Sequence, residues 1–317
     1  MMSLLRFQNI NKVYSDRPLA LFKRAPVQVL HDINLTLHHK EIFGIIGESG
    51  SGKSTLGRLA VRLSQPSSGH IFFENQNITN LSKKAFQSYR KKIQIILQDP
   101  HNALNPSLSV GASIEEALTA QHTQMNAAER RERVATLLQQ TGLSPAIASR
   151  RPHELSGGQK QRIGIARAIA VNPTLIVADE IVAALDISVQ AHILNLMLDL
   201  RSQFNMAYLF ISHDLAIVQK ISDRVAVLYK GRIVETGLSD EVFQNPLHPY
   251  TQTLLASSSA TSTDTKTIFP QFGNSTTNRS SGCYFYNQCF RRKAVCENKS
   301  PDTVEISPTH HIACWIV

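Results

Sequence analysis

The chain of 317 residues is 42% hydrophobic and 18% charged, which is ordinary for a globular protein and sufficient for one substantial core with a smaller attachment. No apolar run approaches the ~20 residues of a membrane-spanning helix, and the first residues lack the apolar stretch of a secretory signal. The net charge is +9, but the basic residues are scattered, which argues against nucleic acid as a partner. We therefore expect a cytoplasmic protein.

Apolar patterns predict seven β-strands in the first two thirds of the chain. Their expected positions are residues 4–14, 29–37, 42–46, 69–78, 92–99, 174–180 and 207–212. The first two alternate between apolar and polar residues, as half-buried strands do. Residues 174–180 instead form a continuous apolar run, which is typical of a buried parallel strand. Residues 15–28 contain two prolines and are expected to form a loop.

Helix-forming residues dominate from about 106 to 154, which predicts a helical insertion between the strands of one α/β unit. Within it, Asn126 is expected to cap a helix that stops near Gly142. The buried face of that helix is predicted to contain Val134, Leu137 and Leu138. A later helix has a helical apolar stripe formed by Val189, Ile193, Leu196, Met197, Leu200 and Phe204.

The segment GESGSGKS at residues 47–54 lies between a predicted strand and a predicted helix and fits G-x-x-x-x-G-K-[ST]. Its glycines let backbone N–H groups turn towards phosphates, and the helix presents its positive end to them. We expect Lys53 to reach the β- and γ-phosphates and the Ser54 hydroxyl to hold Mg²⁺. The alternative is an incidental glycine-rich loop, which is disfavoured because the motif lies between a strand and a helix, as nucleotide binding requires. The predicted nucleotide contacts are Gly47, Glu48, Ser49, Gly50, Ser51, Gly52, Lys53, Ser54 and Thr55.

Two acidic residues follow the apolar run of the strand at 174–180. Asp179 suits coordination of Mg²⁺, directly or through water. Glu180 is one position further on, faces differently, and suits the base that orients the attacking water. The alternative, a solvated strand end, is disfavoured because the pair lies downstream of a phosphate-binding loop. Asp179 is therefore a predicted metal ligand, and Glu180 and Lys53 are predicted catalytic residues.

The octapeptide LSGGQKQR at residues 155–162 resembles the signature of the ABC-transporter ATPase family. Its Ser156, Gly157, Gly158 and Gln159 open a predicted helix and form a second anion site. The resemblance implies that this site binds the γ-phosphate of ATP held by another such domain. The chain would then act in a pair, with two ATP molecules between the partners.

Further residues match this family over about residues 4–255. The resemblance implies that Gln98 contacts Mg²⁺ and senses the membrane partner, that His213 bonds the γ-phosphate, and that Asp186 of AALD reaches the opposite site. It also implies that Tyr14 stacks on adenine. One departure is visible, because Ile181 stands where the family usually has proline. Since proline fixes φ, we expect a looser loop before Asp186 and a slightly altered ATPase.

The implied fold is an α/β P-loop NTPase of the RecA-like type, with a parallel-sheet core, an antiparallel β subdomain and a helical signature subdomain. Its expected range is residues 1–256. A Ser/Thr-rich linker at 257–281 would join it to a cysteine-containing extension at 282–317.

Three stretches resemble the ATPases of dipeptide, oligopeptide and nickel importers: residues 98–114 with DP and LNP, residues 245–257 with HPY, and the spacer at 15–28. The resemblance implies ATP and Mg²⁺ as cofactors and a position at the cytoplasmic face of the inner membrane. The implied partners are a second ATPase subunit, two transmembrane permease subunits and a periplasmic substrate-binding protein. Peptide and nickel remain alternative substrates. An ABC ATPase without a membrane partner is a further alternative, although such proteins usually carry two cassettes or a long coiled coil.

All four cysteines lie in the last tenth of the chain, at positions 283, 289, 296 and 314. A disulfide framework is improbable in the cytoplasm, and structural zinc sites favour closer pairs than this spacing offers. Four unrelated thiols and an iron–sulfur site both remain open. The resemblance extends to this segment, and some relatives carry a [4Fe-4S] cluster there. The expected ligands are Cys283, Cys289, Cys296 and Cys314.

Overall fold

The computed structural model describes residues 2–15, 25–99, 104–121, 124–183, 185–259 and 282–316. The strands in these ranges are β1 (Ser3–Tyr14), β2 (Val27–His38), β3 (Ile42–Ile46), β4 (Ser68–Phe73), β5 (Gln76–Asn77), β6 (Ile93–Ile96), β7 (Leu175–Asp179), β8 (Ala207–Ile211), β9 (Arg224–Tyr229), β10 (Arg232–Leu238), β11 (Val304–Ser307) and β12 (His310–Ile312). The helices are α1 (Lys53–Ala60), α2 (Lys83–Arg90), α3 (Val110–Gln121), α4 (Ala127–Gln140), α5 (Gly157–Ile169), α6 (Ile187–Phe204), α7 (Leu215–Ile221), α8 (Ser239–Gln244), α9 (Pro249–Ser259) and α10 (Val295–Asn298).

The strands form two sheets. The larger has the order β11-β12-β10-β9-β3-β8-β7-β6, and its five strands from β9 to β6 run parallel. The smaller sheet has the order β2-β1-β4-β5 and is antiparallel. The predicted α/β fold with a parallel core and an antiparallel subdomain is confirmed. All seven predicted strands are present, the fourth of them divided into β4 and β5 by a turn.

The parallel strands are buried on both faces, and successive side chains pack into different cores. On β3, Ile42 and Ile46 join the core that contains the helical subdomain, whereas Phe43 and Ile45 join the core beneath the antiparallel sheet. Helix α1 lies on the second face. A Cβ at Gly57 would lie 2.7 Å from the Cδ1 of Ile211, so the glycine allows this close approach to β8. The start of α1 is thereby fixed over the ends of the parallel strands.

The predicted helical insertion is also confirmed. It contains α3 and α4, and Val134, Leu137 and Leu138 are buried as expected. Asn126 caps α4 by accepting hydrogen bonds from the backbone of Ala128 and Glu129. The chain reverses after the helix at Gly142, which has a φ of 70°. No helix in the described ranges is long and apolar enough to cross a membrane.

The cysteine-containing extension joins the larger sheet, because β12 pairs antiparallel with β10 at Glu235 and Thr236. The buried Glu235 carboxylate accepts hydrogen bonds from the backbone of Leu247 and His248 and lies 2.8 Å from Nε2 of His310. One side chain thus joins β10, the start of α9 and β12. Most of the predicted linker, residues 260–281, lies outside the described residues, as do residues 16–24 of the predicted loop.

Candidate functional site

The phosphate-binding loop follows β3 and ends where α1 begins. The Lys53 ammonium donates hydrogen bonds to the backbone carbonyls of Gly47 (2.7 Å) and Glu48 (2.8 Å). At Gly47, with a φ of 147°, a Cβ would lie 2.1 Å from the carbonyl oxygen of Leu228, so only glycine fits. Gly52 precedes α1 with a φ of 106°. The loop therefore holds Lys53 at its centre and leaves the start of α1 open for an anion.

The electrostatic surroundings of Lys53 favour a phosphate ligand. Burial lowers the pKa of its ammonium, and the nearby carboxylates of Glu180, Asp179 and Glu48 oppose that shift. Ser51 in the same loop has a buried hydroxyl with no hydrogen-bond partner in the described structure. A Cβ at Gly50 would meet no atom within 4 Å. A cation, an unpaired hydroxyl and open space thus lie together, and this set fits the phosphates of a nucleotide.

Ser54 and Asp179 meet in front of the parallel strands. The Ser54 hydroxyl donates a hydrogen bond of 2.9 Å to Oδ1 of Asp179. Burial raises the pKa of the Asp179 carboxyl, although the bond from Ser54 lowers it, and a bound cation would stabilise the ionised form. Hydroxyl and carboxylate oxygens are preferred ligands of Mg²⁺. The two predicted metal ligands therefore form a donor set that fits this ion.

Glu180 brings together two further predicted residues. Gln98 donates from Nε2 to Oε2 of Glu180 at 2.8 Å, and Nδ1 of His213 lies 3.4 Å from Oε1. The backbone of Glu180 is left-handed, with a φ of 50°, and its N–H donates to the carbonyl of Ile211 on β8. A left-handed backbone in a residue other than glycine costs on the order of 1–2 kcal/mol. The surrounding structure holds this conformation, in which the carboxylate contacts Gln98 and His213.

The loop after Glu180 is anchored from α6. Ile181, which replaces the usual proline, is buried. The side-chain amide of Gln190 donates to the carbonyls of Val182 (3.1 Å) and Leu185 (3.0 Å). Asp186 is the N-cap residue of α6 but makes no capping bond with its side chain. Ala184 lies outside the described residues. The expected effect of Ile181 on the ATPase stays a prediction.

The signature residues begin α5. The Ser156 hydroxyl accepts from the backbone of Gln159, whose side chain accepts from the backbone N–H of Ser156. A Cβ at Gly158 would lie 2.6 Å from Cγ1 of Val189, so the glycine allows α5 to approach α6 closely. These hydrogen bonds stay within the start of α5, and none of those described joins residues 156–159 to the phosphate-binding loop of the same chain. This separation is compatible with a signature that serves a second domain.

Tyr14 is the last residue of β1. Its side chain is 41% exposed, and the ammonium of Lys12 lies 4.7 Å from its ring centre. Within the described part of the chain, the structure gives no contact between Tyr14 and the phosphate-binding loop. Its stacking on adenine therefore stays a prediction.

Comparisons with known proteins agree with this geometry. Residues 30–183 match the profile of the family described as "ABC transporter". Residues 234–296 match the profile described as "Oligopeptide/dipeptide transporter, C-terminal region". The chain is 43% identical over 322 residues to the oligopeptide transport ATP-binding protein AppF of Bacillus subtilis, with 99% of this chain and 97% of the relative covered. This chain belongs to the ATP-binding subunits of the oligopeptide/dipeptide ABC-transporter family.

Other members and solved structures support this assignment. This ABC ATPase is 37% identical to the dipeptide transport ATP-binding protein DppF of Haemophilus influenzae, with 98% of this chain and 96% of the relative covered. A dimeric ATP-binding cassette solved in a post-hydrolysis state with ADP and Pi is 28% identical. It superposes with a TM-score of 0.67 and covers 74% of this chain and 99% of its own. The cbiO1 protein of Clostridium perfringens gives the same TM-score at 31% identity, over 77% of this chain and 92% of its own.

One residue next to the nucleotide site was not among the predicted site residues. Tyr250, from the HPY segment of this ABC ATPase, accepts a hydrogen bond of 3.0 Å from the backbone N–H of Glu48. Its ring lies 4.4 Å from the ring of Tyr229 and 5.6 Å from that of Phe285. The HPY segment was visible in the sequence and indicated the subfamily, but its contact with the phosphate-binding loop depends on a separation of 202 residues.

The extension of this ABC ATPase places its four thiols near one another. All four cysteines are free, with Cys289 and Cys296 buried. Burial raises the pKa of the Cys283 thiol to about 11, and the other three cysteines add to this shift. Nevertheless, no group of three or more His, Cys, Asp or Glu side chains within the described residues is arranged to hold a metal ion. As described, the thiols therefore do not fit the expected iron–sulfur site.

Proposed function

We propose that this ABC ATPase powers the import of dipeptides or oligopeptides at the cytoplasmic face of the inner membrane. The observation that carries the proposal is the arrangement around Glu180, whose carboxylate lies beside Gln98 and His213. Its neighbour in sequence, Asp179, accepts a hydrogen bond from Ser54. Peptide is favoured over nickel because the relatives are named as oligopeptide and dipeptide transport proteins.

ATP is the proposed substrate of the site. The Lys53 ammonium leaves the carbonyls of Gly47 and Glu48 to bind the β- and γ-phosphates. Glu180 accepts a proton from the attacking water, and His213 stabilises charge on the γ-phosphoryl group. Ser54, Asp179 and Gln98 would hold Mg²⁺, which supplies neutralisation of the phosphate charge. The signature residue Ser156 serves the ATP of the facing subunit, so each site needs two subunits.

The proposed partners of this chain are a second ATPase subunit, two permease subunits and a substrate-binding protein, because each nucleotide site needs residues from two ATPase subunits. A second ATPase subunit completes the two nucleotide sites, and closure of the pair moves two permease subunits. A periplasmic substrate-binding protein delivers the peptide to the complex. The expected contact surface for the permease is the segment that follows Gln98, of which residues 100–103 lie outside the described structure.

The proposal is tested with Glu180→Gln in the transporter reconstituted with its permease subunits in proteoliposomes. ATP turnover should fall at least about 100-fold, since the water loses its oriented base, while binding of ATP is retained. Glu132→Gln, an exposed carboxylate on α4, is the matched control and should leave turnover unchanged. Turnover by Glu180→Gln within tenfold of the wild-type rate would rule out the assigned role. Failure of the wild-type chain to co-purify with permease subunits would favour an ATPase without a membrane partner.

We further propose that Cys283, Cys289, Cys296 and Cys314 hold a [4Fe-4S] cluster after their side chains rearrange. The support is the mutual proximity of four free thiols and the position of basic residues, including Arg291, near Cys289 and Cys314. No step of ATP hydrolysis is assigned to the cluster. Anaerobic purification followed by iron and sulfide analysis should give about four of each per chain. Iron-free, colourless protein would contradict the proposal, and Cys289→Ser is the matched variant that should lose the metal.

A further inference from the structure

A cavity of about 650 Å³ is lined by residues from three parts of the molecule. The antiparallel subdomain contributes Arg6 and His31, strands β9 and β10 of the larger sheet contribute Arg224 and Arg232, and the extension contributes Tyr284. Its volume lies within the ~300–1,000 Å³ typical of sites for small molecules. The described site residues for ATP and Mg²⁺ are absent from its lining.

The cavity combines aromatic walls with guanidinium groups. Its lining includes Phe7 and Phe43 from the two sheets and Tyr284 and Phe285 from the extension. The guanidinium of Arg232 lies 4.2 Å from the ring centre of Tyr284 and donates to its hydroxyl at 3.0 Å. Such a lining can hold the apolar body of an organic ligand and fix a charged group at a defined position.

Two polar atoms of the lining residues are left without partners. Nε of Arg232 and Nδ1 of His311 are both buried and form no hydrogen bond within the described structure. A buried donor without a partner is unfavourable, so a small shift of the Arg232 guanidinium towards a ligand in the cavity would be favourable. Nδ1 of His311 can donate or accept according to its tautomer. The unpaired Arg232 donor therefore favours a ligand with a hydrogen-bond acceptor.

The charges of the lining indicate the sign of that ligand. Arg224 is paired with Glu41 at 3.1 Å, whereas Arg6 and Arg232 form no ion pair with a described carboxylate. Two aspartates also line the cavity, but both are exposed to solvent, and Asp32 accepts a hydrogen bond from Asn9. The uncompensated charge next to the aromatic walls is that of Arg232, with Arg6 towards the solvent. An anionic group would bind between them.

We propose that this cavity, at the joint between the nucleotide-binding core and the extension, binds a small organic anion. The ligand carries a carboxylate or phosphate group towards Arg6 and Arg232, and an aromatic or other apolar body lies against Tyr284 and Phe285. The site is separate from the nucleotide site, and Cys283 of the proposed cluster also belongs to its lining.

Titration calorimetry of the full chain with phenyl phosphate tests the proposal, with the phosphate-binding loop already filled by ADP and Mg²⁺. Phenyl phosphate should bind to the wild-type chain. Arg232→Gln should weaken that binding about tenfold or more, since it removes a charge-assisted hydrogen bond. Arg6→Gln changes an exposed side chain that need not disturb folding and should weaken binding at least threefold. Arg131→Gln, an exposed arginine on α4 far along the chain from the cavity residues, has the same charge change and should bind normally.

Two further probes test separately the binding of the charged group and the binding of the aromatic ring. Benzyl alcohol, which has the ring without the charge, and inorganic phosphate, which has the charge without the ring, should each bind at least tenfold more weakly than phenyl phosphate. The proposal is overturned if phenyl phosphate does not bind the wild-type chain. It is equally overturned if both Arg6→Gln and Arg232→Gln bind as the wild type does, or if either partial probe binds as tightly as phenyl phosphate.

Discussion

The hydroxyl of Tyr250 lies 3.0 Å from the backbone nitrogen of Glu48 and accepts its hydrogen bond. Tyr250 also packs against Phe285 of the extension, and Tyr229 beside it donates from its hydroxyl to Gln288. One layer of aromatic rings therefore separates the extension from the phosphate-binding loop, so the position of that loop depends on both segments.

Tyr250→Phe removes the hydroxyl and keeps the ring. The loop then loses one hydrogen bond, which contributes about 1 kcal/mol. We expect the KM for ATP to rise roughly fivefold while kcat stays within twofold, because the loop is less well ordered before the nucleotide binds. Steady-state ATPase kinetics of the reconstituted transporter measure both constants.

Tyr229→Phe is the matched control for this prediction. It removes a neighbouring hydroxyl whose hydrogen bond goes to Gln288 and not to the loop. Its KM for ATP should equal that of the wild type. Equal KM values for Tyr250→Phe and the wild type would show that the contact with Glu48 does not position the loop.

Asp179→Asn should stabilise the nucleotide-free protein and abolish its activity. Burial raises the pKa of Asp179 above its unfolded value, so the stabilisation of the protonated form is lost as the pH rises through the folded pKa. At pH 7 the wild type therefore carries the cost of a buried charge, which asparagine removes while its Oδ1 can still accept from Ser54. We expect a higher Tm without Mg²⁺, a difference that shrinks towards pH 4, and a loss of Mg²⁺-dependent ATPase of at least about 100-fold. A lower Tm at pH 7 would contradict this interpretation.

His248 should make the protein sensitive to acid. Burial lowers its pKa to about 4, and its Nδ1 accepts from the backbone of Tyr250 at 3.0 Å. The neutral form therefore stabilises the fold fully above pH 6.5, and this contribution is lost as the pH falls towards 4. At about 1.36 kcal/mol per pKa unit, the loss amounts to about 3 kcal/mol.

His248→Asn provides the comparison, since its side-chain oxygen can still accept from Tyr250. The free energy of unfolding, measured with urea at pH 7, 5.5 and 4.5, should fall less steeply with acid than in the wild type. His31, whose pKa is lowered by burial and by Arg232, remains in both proteins and contributes to the residual slope. Parallel slopes for the two proteins would exclude His248 as the titrating group.

Glu235→Gln should destabilise the junction of β10 with the extension. The carboxylate accepts from two backbone N–H groups and lies next to His310, and an amide group would direct donors at some of these partners. A lost buried acceptor costs about 1–3 kcal/mol. Urea unfolding should show this decrease, and limited proteolysis should release the extension sooner. Glu132→Gln, an exposed carboxylate on α4, should change neither result.

Local patterns predicted those parts of the fold in which neighbouring residues determine the structure. The burial of Val134, Leu137 and Leu138 and the cap at Asn126 followed from helical spacing, and the phosphate-binding loop followed from its motif. Ser54 and Asp179 were each predicted from their motifs as residues that hold Mg²⁺, and their side chains are hydrogen-bonded to each other. The left-handed φ of Glu180 was not predicted, since the surrounding structure imposes it against the preference of the residue.

No strand was predicted after residue 212, although β9 and β10 form an antiparallel hairpin there. The pairing of β12 with β10 was not predicted either. That pairing joins short segments across more than 70 residues, and neither partner carries a periodic pattern long enough to identify the other. The cavity was missed for the same reason, because its walls come from three separate parts of the chain.

The pairing of β12 with β10 has a consequence for synthesis on the ribosome. Until residues 310–312 have been made, the outer edge of β10 has no strand partner, and the Glu235 carboxylate lacks His310. At about 5–20 residues per second, this interval lasts several seconds after β10 itself. During that time the nascent protein presents an unpaired strand edge, the feature that most readily leads to wrong association between chains. The newly made subunit therefore remains prone to aggregation through this strand edge until β12 of the extension has been made and has paired with β10.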